Sequence, residues 1–197
     1  MSHGFVDKLK AALGIAEEPH RVRRTVRGID VVLKNTRPDI SDEDVFARLD
    51  AVLALIEQYA PMKLRRMKKD IAGIDIKRFA CRGAFFGETR RVLCELTFIV
   101  NRDFSLAEIA SSMLHEGVHA RVHAARVFRT PASLAKEERL CRATELWWGH
   151  TVPNGERVIE RANALLTMSD DEVAPVVDWR VAAQRVAEVD RRAQRGE

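Results

Sequence analysis

Apolar and polar residues follow two different periods along this chain, and the change of period divides it. Near the start, Phe5, Val6, Leu9 and Leu13 recur at helical spacing with Asp7, Lys8 and Lys10 between them, which predicts an amphipathic helix over 5–17. Residues 22–35 fit neither period. Ser41 opens a longer helix, SDEDVFARLDAVLALIEQYA, whose acidic first turn complements the helix dipole and whose end is marked by Pro61. Residues 1–72 are therefore expected to be helical. From residue 73 the runs shorten to GIDIKRFA, GAFFG and RVLCELTFIV. In the last of these, Val92, Cys94, Leu96, Phe98 and Val100 alternate with Leu93, Glu95, Thr97 and Ile99, which is the period of a strand. Gly83 and Gly87 stand where turns or bulges belong.

Helical spacing then returns. Ser105 followed by Glu108 is a capping box, with Phe104 and Ile109 placed as its hydrophobic staple, so a helix is predicted from Leu106. Apolar residues at Ile109, Ala110, Met113, Leu114, Val118 and Val122 make it largely buried. The pair Thr130-Pro131 starts another helix, through SLAKEERLCRATELWW, with Gly149 as its stop. Pro153-Asn154-Gly155 is a turn, and two more helices are predicted over 155–167 and 170–194. The sum is one α+β domain over 1–197, mostly helical, with a small antiparallel or mixed sheet in front of the central helix. Within it, residues 1–72 are helical, 73–150 hold the sheet and central helices, and 151–197 form the C-terminal helices.

Composition narrows the class. The net charge of +4 is spread over scattered arginines and lysines without interleaved aromatic residues, which argues against a nucleic-acid partner. Three widely spaced cysteines without a C-x-x-C pair fit free thiols in a reducing, cytoplasmic setting. No apolar run is long enough to span a bilayer, and the first residues lack the core of a secretory signal.

The chemistry lies in SSMLHEGVHARVH. His115 and His119 stand four residues apart, so a helix presents both imidazoles from one face as neighbouring ligands of a tetrahedral Zn2+ ion. Glu116 lies beside them, where it can take a proton from an activated water. His123 continues the series too far along the axis to reach the same ion. A third ligand has to come from elsewhere. On the next helix, with Leu134 as reference, Glu138, Cys141, Glu145 and Trp148 fall within about 40 degrees of it at 100 degrees per residue. Glu138 is the expected third metal ligand, with Glu145 either an alternative or the acceptor that orients a ligand histidine. Glu137 points aside, toward solvent. Tyr59, His123, Arg142 and His150 are candidates to donate to a developing oxyanion, with His150 preferred because it follows the ligand helix.

HEGVH with a glutamate on a following helix resembles the gluzincin type of zinc metallopeptidase, and EERLCRATEL is similar to the E-x-x-A pattern of its small members. The resemblance spans 91–146 and departs from the family at Cys141, where alanine is usual, and at Arg142, where some families have an acid. It implies a zinc-dependent hydrolase acting on a peptide or protein substrate, and a short sheet whose edge strand aligns that substrate. The run 91–100 is the candidate edge. Two other readings stay open: a regulatory metal-binding protein of the same fold without turnover, and a helical partner- or nucleic-acid-binding module without metal.

Overall fold

The computed structural model describes residues 21–126, 131–174 and 178–195. The predicted helix over 5–17 lies outside them. Two strands come first, β1 (Arg21–Val26) and β2 (Ile29–Lys34), paired antiparallel from Arg21↔Lys34 to Val26↔Ile29. That register leaves Arg27 and Gly28 for the turn, at φ values of 46° and 79°, as a two-residue hairpin of type I′ demands. The expectation of a helical 1–72 is corrected here. Arg27 occupies a turn position where Asn or Asp is the usual marker, so the hairpin shows only half of its signal, and its side chain is held by Asp50 and Glu57.

Helices α1 (Asp42–Tyr59) and α2 (Pro61–Asp70) follow, with Ser41 as the N-cap of the first and Pro61 at the start of the second. Next come β3 (Gly73–Lys77), β4 (Gly83–Phe86) and β5 (Arg91–Glu95). The five strands form one mixed sheet in the order β1-β2-β3-β5-β4. Its inner pairs β2/β3 and β3/β5 are parallel and its marginal pairs antiparallel. The edge beside the central helix is therefore β4, and the run 91–100 is not an edge strand. That run also ceases to be a strand at Glu95. Its carboxylate accepts from the Phe98 amide at 2.7 Å and the Thr97 hydroxyl at 2.6 Å, capping a short helix α3 (Leu96–Val100). Alternation persists in the sequence because Leu96, Phe98 and Ile99 are buried in either conformation.

The remaining helices are α4 (Leu106–Ala124), α5 (Pro131–Thr151), α6 (Glu156–Leu166), α7 (Asp170–Val173) and α8 (Trp179–Arg195). The Ser105/Glu108 capping box forms as expected, whereas the single helix expected over 170–194 is two. Gly149 does not stop α5. It marks the place where α6 turns back, since an added Cβ would lie 2.7 Å from Ile159 Cγ1 and 3.1 Å from the Gly155 carbonyl. Val31, Leu33, Ile74, Ile76 and Val92 of the sheet share one core with Leu49, Leu53 and Ile56 of α1 and Ile109 and Met113 of α4. Trp148, fully buried, donates its indole N–H to the Ala107 carbonyl at 2.9 Å and ties the end of α5 to the start of α4. Among the described residues no helix is long and apolar enough to cross a membrane.

The α5–α6 corner is a test of this packing. A Cβ on Gly155 would sit 2.0 Å from the Gly149 carbonyl oxygen and 2.7 Å from its carbon, both backbone atoms. Gly155→Ala is expected to lower unfolding stability by about 1–3 kcal/mol, measured by urea titration. A loss below about 0.5 kcal/mol would contradict the close approach.

Candidate metal centre

Helices α4 and α5 lie side by side and antiparallel, because low numbers on one face high numbers on the other: Ala107 meets Trp148, His115 meets Glu145, and His119 meets Glu137. His115 Nδ1 lies 3.0 Å from Glu145 Oε1, and His119 Nδ1 lies 2.6 Å from Glu137 Oε1. Ionised carboxylates only accept, so each Nδ1 donates and each Nε2 is turned toward the other ring. The two Nε2 atoms are 3.1 Å apart. Glu138 completes the set, with Oε1 3.2 Å from His119 Nε2 and Oε2 3.4 Å from His115 Nε2. Ligands of a tetrahedral zinc ion with bonds near 2.05 Å are separated by about 3.3 Å. The two Nε2 atoms are close to that spacing, and each has one oxygen of Glu138 at a similar distance.

A fourth donor is present. Cys141 Sγ stands 3.6 Å from His119 Nε2, and His115, His119 and Cys141 offer donor atoms all within 4.8 Å of one another, a group able to hold a metal ion. For a thiolate and an imidazole on one tetrahedral zinc the separation is again about 3.6 Å. The sequence marks Cys141 only as a residue standing where alanine is usual. Its place in the buried stripe with Glu138 and Glu145 is the available signal. Glu137 requires correction: it is 7 % exposed and bonded to His119, not directed to solvent. Leu134, the reference for the buried stripe, is 43 % exposed, so the face turned toward α4 is rotated from Leu134 toward Glu137. Glu145 takes the orienting role on His115 and is gripped in turn by Arg142 Nη1 at 2.9 Å and 3.1 Å.

The charges of the cluster shift one another's proton affinities. Burial opposes charge on His115, but contacts with Cys141, Glu138 and Glu145 outweigh it and hold its pKa well above the ordinary value. For His119 the penalty of burial is outweighed by Cys141, Glu137 and Glu138, which push the value to about 12. Despite its own burial, Glu138 is held well below the usual carboxylate range by the two imidazoles. Two imidazolium Nε2–H groups 3.1 Å apart would repel, so the contact requires a shared proton or a cation between the rings.

Glu116 differs from its neighbours. It is 7 % exposed, lines the same cavity of about 660 Å3, and has no side-chain hydrogen bond or ion pair among the described residues. Burial raises its pKa above the carboxylate value, against the opposing pull of His115 and His119. Gly83 of the edge strand makes room for it, since a Cβ there would lie 3.0 Å from Glu116 Oε1. Cys81, on the rim, donates to the Gly83 carbonyl, and burial with the nearby Glu116 pushes its thiol up to about 11.

Of the four candidate oxyanion donors only Arg142 lines this cavity. His150 is exposed in the last turn of α5 and does not face it, which corrects the preference for that residue; two residues beyond the buried Trp148, about 200 degrees round the helix, it lies on the opposite side. Tyr59 packs on the core, and His123 packs edge-on against Phe85 with ring centroids 5.6 Å apart. No family model, no curated protein and no solved structure matches the chain.

Two expectations follow from the carboxylate–imidazole bonds. Glu137→Gln and Glu145→Gln should each weaken zinc binding by about 10–100-fold, measured by competition with a chromophoric chelator; unchanged affinity in both would remove their orienting role. The raised histidine values also fix a direction with pH. The stability they contribute is full below the ordinary 6.5 and is lost as pH rises toward the folded-state values. In chelator-treated protein the thermal midpoint should fall between pH 6.5 and 9, and saturating zinc should flatten that fall. A midpoint that climbs over this interval in the chelated protein would contradict the assignment.

Proposed function

We propose that the chain is a zinc-dependent peptidase of the gluzincin type, with His115, His119 and Glu138 as metal ligands and Glu116 as the group that moves the proton. The observation that carries this reading is the juxtaposition of two Nε2 atoms and one carboxylate at tetrahedral spacing with a buried carboxylate that has no partner of its own among the described residues. The donor set suits zinc, which takes imidazole nitrogen and carboxylate oxygen and needs an open position for catalysis. Bound there, zinc would supply Lewis acidity, lowering the pKa of a water and polarising the carbonyl to be attacked.

The chain's own groups account for the rest. Glu116 takes up a proton at its uncommitted carboxylate and returns it to the departing amine. Burial serves both halves of that task, because a carboxylate with a raised pKa holds the proton more readily before passing it on. Glu137 and Glu145 keep the rings turned so that both Nε2 atoms face the same point. The edge strand β4 lies along the cavity through Gly83, Ala84 and Phe85 and can pair its outer backbone groups with an extended peptide. Three free thiols agree with a cytoplasmic setting.

One observation favours the second reading, a metal-binding protein without turnover: Cys141 stands where a fourth protein ligand would close the site. Cobalt substitution separates the two. With an open site the cobalt protein lacks a near-ultraviolet thiolate charge-transfer band, and Cys141→Ala changes neither spectrum nor affinity. With a closed site the band is present and disappears in Cys141→Ala. On the peptidase reading, Glu116→Gln should keep a full equivalent of zinc while peptide cleavage falls by at least about 100-fold. Equal cleavage by the variant would eliminate Glu116 as the proton carrier, and absence of any metal uptake by the unaltered protein would sink both readings.

A further inference from the structure

The cavity beside the histidines has a basic wall that the chemistry above leaves unused. Arg82, just before β4, and Arg161, on α6, both line it, and neither side chain makes a hydrogen bond or ion pair among the described residues. Apart from Glu116, which faces the histidines, the nearby acids are committed. Glu145 is held by His115 and Arg142, Glu137 by His119, and Glu138 by both imidazoles. Glu108 caps α4 and sits 3.4 Å from Arg157. Arg142 adds one more donor to this wall, since its Nε is buried without a partner among the described residues.

The geometry of Arg82 suits a planar anion. Its guanidinium carbon lies 4.5 Å from the ring centroid of Phe104 and 5.2 Å from that of Phe98, cation–π contacts that use none of its N–H donors for a hydrogen-bond acceptor among the described residues. Partial enclosure lowers the pKa of Arg161, and Arg82 and Arg142 push the same way against the opposing pull of Glu145 and Glu108. A bound carboxylate gives Arg82 and Arg161 the hydrogen-bonded partner that neither side chain has among the described residues.

We propose that this wall is a carboxylate subsite: a peptide entering the cavity carries an acidic side chain or a free C-terminal carboxylate close to the bond to be cleaved, held by Arg82 and Arg161. The inference rests on the peptidase reading for its substrate, although anion binding is measurable without turnover. The probes are two matched pairs of pentapeptides. In one pair the acetylated, amidated peptide of alanines carries a central glutamate or a central glutamine; in the other, acetylated penta-alanine ends in a free acid or an amide.

Binding is followed by calorimetry on the zinc-loaded Glu116→Gln protein, which should hold peptides without cleaving them. At least one pair should discriminate in favour of the carboxylate by about tenfold or more, the pair that responds identifying its source. That preference should fall below about twofold in Arg161→Gln and in the Arg82→Gln/Arg161→Gln double variant, with zinc content and thermal midpoint retained. The single variant at the accessible Arg161 keeps the test usable should the double variant fold poorly. Equal binding of both members of each pair, weak or strong, overturns the subsite, as does a preference that survives in the folded variants. Discrimination without any cleavage by the unaltered protein would leave the subsite standing and remove the peptidase; cleavage of all four peptides at equal kcat/KM would do the reverse.

Discussion

The site depends on two hydrogen bonds that cross from α4 to α5, His115 to Glu145 and His119 to Glu137. Each fixes one imidazole by its Nδ1 and so decides where the opposite nitrogen points. Spacing on α4 alone puts both rings on one face, but it leaves their rotation about χ2 open. The carboxylates remove that freedom. They also explain why α5 rather than a loop supplies the other donors: once Glu137 and Glu145 are placed, Glu138 and Cys141 lie between them on the same helix, one and four residues after Glu137. Trp148, bonded to the Ala107 carbonyl, sets the register of the two helices from the far end.

Much of this is legible because it is periodic. The capping box at Ser105 locates the start of α4 to the residue, and the His–Glu–His spacing locates the rings. Helical projection selects Glu138 and Glu145 from the acids of α5. It fails at Glu137 by one residue's rotation, about 100 degrees. The apolar residue that orients the projection, Leu134, is exposed, so the helix is anchored on the wrong side. A helix whose functional face is itself polar offers few apolar markers, and Cys141, small and ambiguous, escapes notice for that reason.

The sheet is harder to foresee. Strand order is set by crossovers between residues far apart, and nothing local in GAFFG or RVLCE says which becomes an edge. The N-terminal hairpin shows a different difficulty. Its alternation at Ile29, Val31 and Leu33 is clear in the folded protein, where all three are buried, but β1 is rich in arginine and the turn is built on Arg27. The helix that begins beyond Glu95 shows a third: a side-chain cap of its own switches the backbone where the apolar pattern does not change.

Electrostatics ties the cluster's two states together. Glu116, Glu137, Glu138 and Glu145 gather around two imidazoles and Arg142 inside one cavity wall. Such a concentration of carboxylates can be buried only beside positive charge, which a proton shared between the rings or a cation can supply. A metal ion can therefore take the place of a proton there. The scaffold that holds the donors is built by other means, through the sheet, α1 and the apolar face of α4. Structural zinc modules, which are unfolded without their metal, follow the opposite logic. A prebuilt site whose donors exchange protons for a cation suits a catalytic or sensing role better than a structural one.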